Sequence, residues 1–197
     1  MDAAQLKDAF TRWAAAMDKA APELNELDSR LGDGDLGVTL GKCAKNVRAA
    51  LPRAPDTVPA VLRAASQACA DASGSSFGTL LASGLLTAAK WVEDRKALDK
   101  QALPELLAYV VQELSARGGA SLGDKTMLDA LQAIAVAIEQ AGQQDDLVAT
   151  ARDAAAKAVE AFRGQVNRIG RARMFAEKSA GMDDPGMVAV LRMTQSL

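Results

Sequence analysis

Three carboxylates fall within eight residues in the segment Leu27-Asp28-Ser29-Arg30-Leu31-Gly32-Asp33-Gly34-Asp35-Leu36-Gly37-Val38-Thr39, with glycines around the last two. On an unbroken helix Asp28 and Asp35 would share a face, whereas Asp33 would point about 140° away from Asp28. The glycines interrupt that helix and let all three converge. Clustered carboxylates repel one another unless protonated or neutralised, and hard oxygen ligands suit Mg²⁺ or Ca²⁺. Mg²⁺ with phosphate completing its coordination is the chemistry this set fits best. The next helix is expected to begin near Gly37, bringing its N-terminal N–H groups to the same phosphates, with the Thr39 hydroxyl beside them. The same residues also suit a solvated capping turn, so the loop alone leaves both readings open.

Two common motifs do not explain the loop. An EF-hand counted from Asp28 would put Asp33 at the turn glycine and Thr39 at the bidentate glutamate. Gly32 and Gly37 have the spacing of a Walker A loop, but Val38 stands at its lysine and no strand precedes it.

The chain has no histidine, which removes histidine bases, histidine nucleophiles and histidine metal ligands from its own chemistry. A formal charge of −2 and a sequence pI near 5.3 give no basic footprint, so no nucleic-acid partner is expected. Cys43 and Cys69 have no metal-ligand spacing and are too few for a disulfide framework, which fits a reducing cytoplasm. The N-terminus lacks the basic start and apolar run of a signal peptide and reads as the first turn of a soluble helix. The uncharged stretch Ala72 to Ala89 reaches the length of a membrane span, but half of it is Gly, Ser or Thr, so no membrane association is expected.

The elements that must position the acidic loop are helices. Across 197 residues the aromatic fraction is 4%, Ala and Leu dominate, and β-branched runs are scarce. Apolar residues recur at helical spacing as Leu6, Phe10, Trp13 and Met17, then as Leu24, Leu27 and Leu31 after Pro22. Further helices are expected at 37–51, 57–72, 76–95, 103–117, 125–141, 144–178 and 185–196. Asp56 is a candidate cap before Pro59, Leu103-Pro104 opens a helix, and Gly118-Gly119 closes it. Short connections favour a single all-α domain over residues 1–197, built as an antiparallel up-and-down bundle. Glycine-containing loops around 32–37, 73–78, 118–124 and 181–186 would form a composite site if they share one end.

The loops beyond the acidic one are ambiguous singly. Ser73, Ser75, Ser76 and Thr79 surround two glycines and form either a phosphate cradle or a plain helix start. Asp124 is a natural N-cap for the helix carrying Met127, Leu128, Leu131 and Ile134. Lys125 and Thr126 either reach a phosphate from that helix start or, for Lys125, lie on the surface. Arg171 belongs to a basic tract with Arg163, Arg168, Arg173 and Lys178, spread over different helix faces.

Taken in order, the motifs resemble the L subunit, or L domain, of dihydroxyacetone kinases. They are the acidic loop, then Ala72-Ser73-Gly74-Ser75-Ser76-Phe77-Gly78-Thr79, then Gly123-Asp124-Lys125-Thr126-Met127-Leu128-Asp129. The last is Gly170-Arg171-Ala172 followed by Glu177-Lys178-Ser179 and Asp184-Pro185-Gly186. The resemblance implies an eight-helix antiparallel barrel with ADP or ATP at one end, held through two Mg²⁺ ions on Asp28, Asp33 and Asp35. It also implies nucleotide contacts at Leu36, Gly37, Val38, Thr39, Ala72, Ser73, Gly118, Thr126, Met127, Arg171, Asp184, Pro185 and Gly186. Leu36 departs from the pattern, standing where the family commonly has histidine; it keeps a backbone N–H but no ligating side chain.

The activity implied is phosphoryl transfer to a hydroxyl of dihydroxyacetone or a related short ketose. In the family a histidine of a separate K subunit or domain holds the substrate, so this chain is expected to be inactive without a K subunit. The phosphate donor is either exchanging ATP or a phosphohistidine protein of the sugar phosphotransferase system that recharges bound ADP. Alternative readings are the nucleotide domain of a fatty-acid kinase, a nucleotide-binding regulatory module, and a helical scaffold without a ligand.

Overall fold

The computed structural model describes residues 1–72, 74–93, 99–142 and 145–197. Among these residues there are eight α-helices and no strand. They are α1 (Ala3–Leu31), α2 (Leu36–Ala50), α3 (Val58–Ala72), α4 (Ser76–Trp91), α5 (Leu103–Gly118), α6 (Met127–Gln140), α7 (Leu147–Phe162) and α8 (Pro185–Thr194). Short 3-10 turns occupy Leu51–Arg53 and Lys100–Ala102, and a longer one spans Arg171–Ser179.

Each helix packs on its sequence neighbours, and α8 returns to pack on α1, so the bundle closes into an antiparallel barrel. The core takes Leu6, Trp13, Met17 and Leu24 from the predicted stripes of α1, and joins them with Leu40, Cys43 and Val47 on α2 and Val61 and Ala65 on α3. Cys43 and Cys69 are buried free thiols, and Cys43 Sγ lies 3.8 Å from the Cys69 carbonyl between α2 and α3. No helix among the described residues is long and apolar enough to cross a membrane.

Three local expectations change. Pro22 does not divide the first apolar stripe: α1 is one helix of 29 residues with Pro22 inside it. A proline there removes one helical N–H and costs about 3 kcal/mol, a loss offset by burial of Ala20 and Leu24 on either side. The expected helix over 144–178 is also not continuous. α7 ends at Phe162, and the chain passes Gly170 at φ +67° into the 3-10 segment, which is itself kinked at Ala176 (φ +44°). Finally, α6 starts at Met127 with Thr126 as its cap: Thr126 Oγ1 accepts from Leu128 N at 3.1 Å. Asp124, expected as that cap, instead closes its own turn by accepting from Ser121 N at 2.7 Å.

Antiparallel order puts the α1–α2, α3–α4, α5–α6 and α7–α8 connections at one end of the barrel. These are the four glycine-containing loops singled out in the sequence, and together they line a single cavity.

Candidate functional site

The acidic loop begins where α1 stops. Gly32 leaves room there for the Asp28 carboxylate: a Cβ at that position would lie 2.5 Å from Asp28 Oδ1, which would have to shift. Gly34 then turns the chain at φ +77°, a conformation costly for side-chain-bearing residues. Asp28 folds across the turn, and its Oδ2 accepts from the backbone N–H of Asp35 at 2.9 Å and of Leu36 at 3.3 Å. One carboxylate thus caps α2 from the end of the preceding helix. Asp35 occupies the N-cap position but makes no side-chain cap bond, which leaves its carboxylate available to the cluster.

Oxygens of Asp28, Asp33 and Asp35 come within 4.8 Å of one another. The carboxyl of Asp35 is held above the usual carboxylate range, first by burial and then by the charges of Asp33 and Asp28; Arg171 and Lys42 act in the opposite sense. Three hard oxygen donors at this spacing, with mutual repulsion that a cation would relieve, fit Mg²⁺. Asp33, the most exposed of the three, is ion-paired with Arg171 from the α7–α8 connection.

The first turn of α2 is less open than the sequence suggests. The N–H of Leu36 is taken by Asp28, and the N–H of Val38 donates to Asn25 Oδ1 at 3.1 Å. Gly37 sits tight against α1, where an added Cβ would fall 2.0 Å from the Ala21 carbonyl oxygen. Thr39 is buried, Val38 faces outward, and neither lines the cavity; nor does Gly37. Leu36 does line it, as an apolar surface beside the acidic cluster.

The cavity measures about 600 Å³. Its second wall is the start of α4, where Ser75 Oγ accepts from Gly78 N at 3.2 Å and Ser76, Phe77 and Thr79 face inward. Ala72, the last residue of α3, does not line it, and Ser73 lies outside the described residues. The third wall is Gly118 at the end of α5 together with Thr126 and Met127 at the start of α6. Asp129 holds that start in shape, accepting from Gly123 N at 2.6 Å and Thr126 N at 2.8 Å. The fourth wall is Gly170 and Arg171 with Asp184, Pro185 and Gly186 at the start of α8. Gly186 approaches Phe77 closely, its virtual Cβ 3.5 Å from the ring, which joins the second and fourth walls.

Eleven of the residues expected from the sequence therefore share one cavity: Asp28, Asp33, Asp35, Leu36, Gly118, Thr126, Met127, Arg171, Asp184, Pro185 and Gly186. Asp184 is buried, and desolvation raises its pKa to about 6 against hydrogen bonds from Met187 N and Asn167 and the charge of Lys125. It accepts from Met187 N at 2.8 Å and from Asn167 Nδ2 at 2.8 Å, so it is anchored as the cap of α8.

Lys125 is neither the surface residue nor the phosphate-reaching residue of the sequence reading. It is fully buried, with a positive φ of 64°, and its ammonium donates to the carbonyls of Arg163, Gln165 and Ser179. Asn25, Asp129, Asn167 and Ser179 also shape the site, although the sequence assigns none of them a role and only Asp129 and Ser179 fall within its motifs. Asp129 had a readable signal, since Thr126-x-x-Asp129 is a capping-box spacing. The others act across long sequence distances that spacing does not reveal.

Residues 30–197 match the DAK2 domain family. The L-erythrulose 1-kinase of Mycolicibacterium smegmatis is 32% identical over 89% of this chain and 32% of its own length. The ADP-binding subunit DhaL of the PEP-dependent dihydroxyacetone kinase of Escherichia coli is 27% identical over 98% of this chain and 94% of its own length. The crystal structure of the dihydroxyacetone kinase from C. freundii in complex with AMP-PNP and Mg²⁺ superposes with a TM-score of 0.76 at 26% identity, over 98% of this chain and 33% of that one. The chain thus spans about a third of the erythrulose kinase and nearly all of the DhaL subunit. The chain belongs to the DAK2 domain family, together with the L subunits and L domains of dihydroxyacetone kinases.

Proposed function

We propose that this chain is the nucleotide-carrying subunit or domain of a short-ketose kinase, binding ADP or ATP through Mg²⁺ at Asp28, Asp33 and Asp35. The observation that carries this reading is the convergence of the three carboxylates on a cavity where the guanidinium of Arg171 lies directly beside them, paired with Asp33. Carboxylates have no use for a bare polyanion, and a guanidinium has none for a bare cation; a metal-phosphate ligand satisfies both. The apolar surface of Leu36, Leu80, Leu114 and Met127 in the same cavity suits a flat base.

When bound, Mg²⁺ supplies charge neutralisation and orientation of the phosphates, the main requirement of phosphoryl transfer. The chain's own residues divide the remaining work. Arg171 offsets phosphate charge, Asp28 fixes the start of α2 relative to α1, and the cap at Thr126 sets the backbone beside Gly118. The whole chain lacks histidine, so a substrate-holding histidine must come from a K subunit or K domain. Names among the relatives support three- and four-carbon ketoses as acceptors, dihydroxyacetone and erythrulose.

The test combines this chain with a dihydroxyacetone kinase K subunit, Mg²⁺ and either ketose, supplying ATP alone or the phosphotransferase proteins with phosphoenolpyruvate. Ketose phosphate formed only when both subunits are present supports the proposal, and the donor that works identifies the route. No product with either donor, or product from this chain alone, contradicts it.

A further inference from the structure

Among the described residues the largest fully buried side chain belongs to Lys125, in the midst of the site but with a different set of partners. An ammonium has three donors and no acceptor. Here all three are used: Nζ donates to the Gln165 carbonyl at 2.8 Å, the Ser179 carbonyl at 3.0 Å and the Arg163 carbonyl at 3.2 Å. None is left for a phosphate.

The acceptors are informative. Arg163 and Gln165 follow the end of α7, where helix carbonyls lose their intrahelical partners and the helix dipole is negative. Ser179 ends the 3-10 segment. The ammonium therefore pins both ends of the excursion from 163 to 181, whose middle carries Arg171. The base of the excursion is closed by Gly181 N donating to the Arg163 carbonyl at 2.8 Å and Arg168 N to the Asp124 carbonyl at 3.1 Å. Asn167 extends the tie: its N–H donates to Ser179 Oγ at 2.9 Å, and its Nδ2 donates to the Lys125 carbonyl at 2.9 Å and to Asp184 at 2.8 Å.

Both neighbours of that amide are acceptors, so its nitrogen must face them. Asn167 Oδ1 is then left as the buried side-chain atom without a partner among the described residues. Lys125 itself adopts a left-handed backbone conformation, unfavourable for a lysine. A strained backbone and a stranded carbonyl are retained at the point where the α6 start, the Arg171 segment and the α8 start meet.

We propose that Lys125 is a positioning residue of the nucleotide site, acting through the segment that carries Arg171 and not by touching the nucleotide. This rests on the reading of the cavity as an Mg-nucleotide site. Replacing Lys125 with Met keeps much of the volume and removes the three donors. The consequence is local: the excursion loosens and Arg171 loses its fixed place beside Asp33 in the acidic cluster.

The test is amide hydrogen exchange on the wild type and Lys125→Met, with calorimetric titration of Mg·ADP into both, into Arg171→Ala and into the double variant. Protection at Asn167, Arg168 and Gly181 should fall about tenfold or more while the amides of α2 and α3 keep theirs. Mg·ADP affinity should fall about tenfold in each single variant, and the double variant should be no more than about threefold weaker than the weaker single one. Unchanged protection in 163–181, or affinity losses that multiply in the double variant, overturns the proposal. Should Lys125→Met fail to fold, Lys125→Gln, which offers at most two of the three donors from a shorter side chain, takes its place and must give the same pattern in weaker form. Absence of Mg·ADP binding in the wild type would sink the nucleotide reading, while the exchange comparison would still decide whether Lys125 orders the excursion.

Discussion

Two glycines in the same helix should respond oppositely to the same substitution. Gly37 and Gly41 both lie in α2, and in each case alanine brings a helix-propensity gain of up to about 1 kcal/mol. At Gly41 nothing lies within 4 Å of the new Cβ, so that gain is kept. At Gly37 the Cβ would meet the Ala21 carbonyl oxygen at 2.0 Å and its carbon at 2.7 Å. Both atoms are backbone of α1 and cannot swing aside. Relief requires moving the start of α2 by roughly 1 Å, an overpacking cost of about 1–3 kcal/mol or more. The propensity gain is common to both, so the two variants should differ by the overpacking cost alone, about 1–3 kcal/mol or more in unfolding free energy, Gly41→Ala above wild type and Gly37→Ala below it. Urea denaturation followed by far-UV circular dichroism measures the difference. The same shift pulls the Leu36 N–H and the Asp35 carboxylate away from Asp28, so Gly37→Ala should also weaken Mg·ADP, and Gly41→Ala should not. Equal stabilities for the two variants, or a Gly37→Ala protein at least as stable as wild type, would refute the close-approach reasoning.

Two further outcomes follow from the electrostatics. Asp184 has a pKa of about 6 in the folded protein against 3.8 for the ordinary group, so the folded state holds a proton that the unfolded state has lost between those values. Its contribution is fully present below about pH 4 and is lost as pH rises through about 6, amounting to roughly 3 kcal/mol at 1.36 kcal/mol per unit. The stability of Asp184→Asn relative to wild type should rise by up to that amount between pH 4 and pH 7, and a pH-independent difference in urea titrations would contradict it. The Arg171–Asp33 pair, by contrast, joins two side chains that are 57% and 39% exposed. Arg171→Ala should change stability by no more than about 0.5 kcal/mol while weakening Mg·ADP, and a large loss of stability in the same urea assay would assign Arg171 a structural role.

Much of the barrel is legible in the sequence because the apolar stripes repeat at helical spacing, and the acidic loop is legible because Asp and Gly alternate where α1 must end. The failures have a common cause. In a chain rich in Ala and Leu nearly every segment favours helix, so tertiary partners decide where helices stop. Pro22 reads as a boundary, yet α1 continues through it because packed residues lie on both sides. Residues 144–178 read as one helix, yet Lys125, more than thirty positions earlier, captures the carbonyls beyond Phe162 and ends it. The composition of the site was similarly visible and its connectivity was not. Asp28 was expected to face a metal, but its second task of capping α2 depends on a chain reversal that spacing alone does not specify.

Isothermal titration of ADP into the wild type and into the Asp33→Ala/Asp35→Ala double variant, each with Mg²⁺ and with a chelator, tests the central claim most directly. The account predicts binding by the wild type that requires Mg²⁺ and falls by about a hundredfold or more in the double variant. Absence of binding by the wild type, or equal affinity in the variant or in chelator, would contradict it.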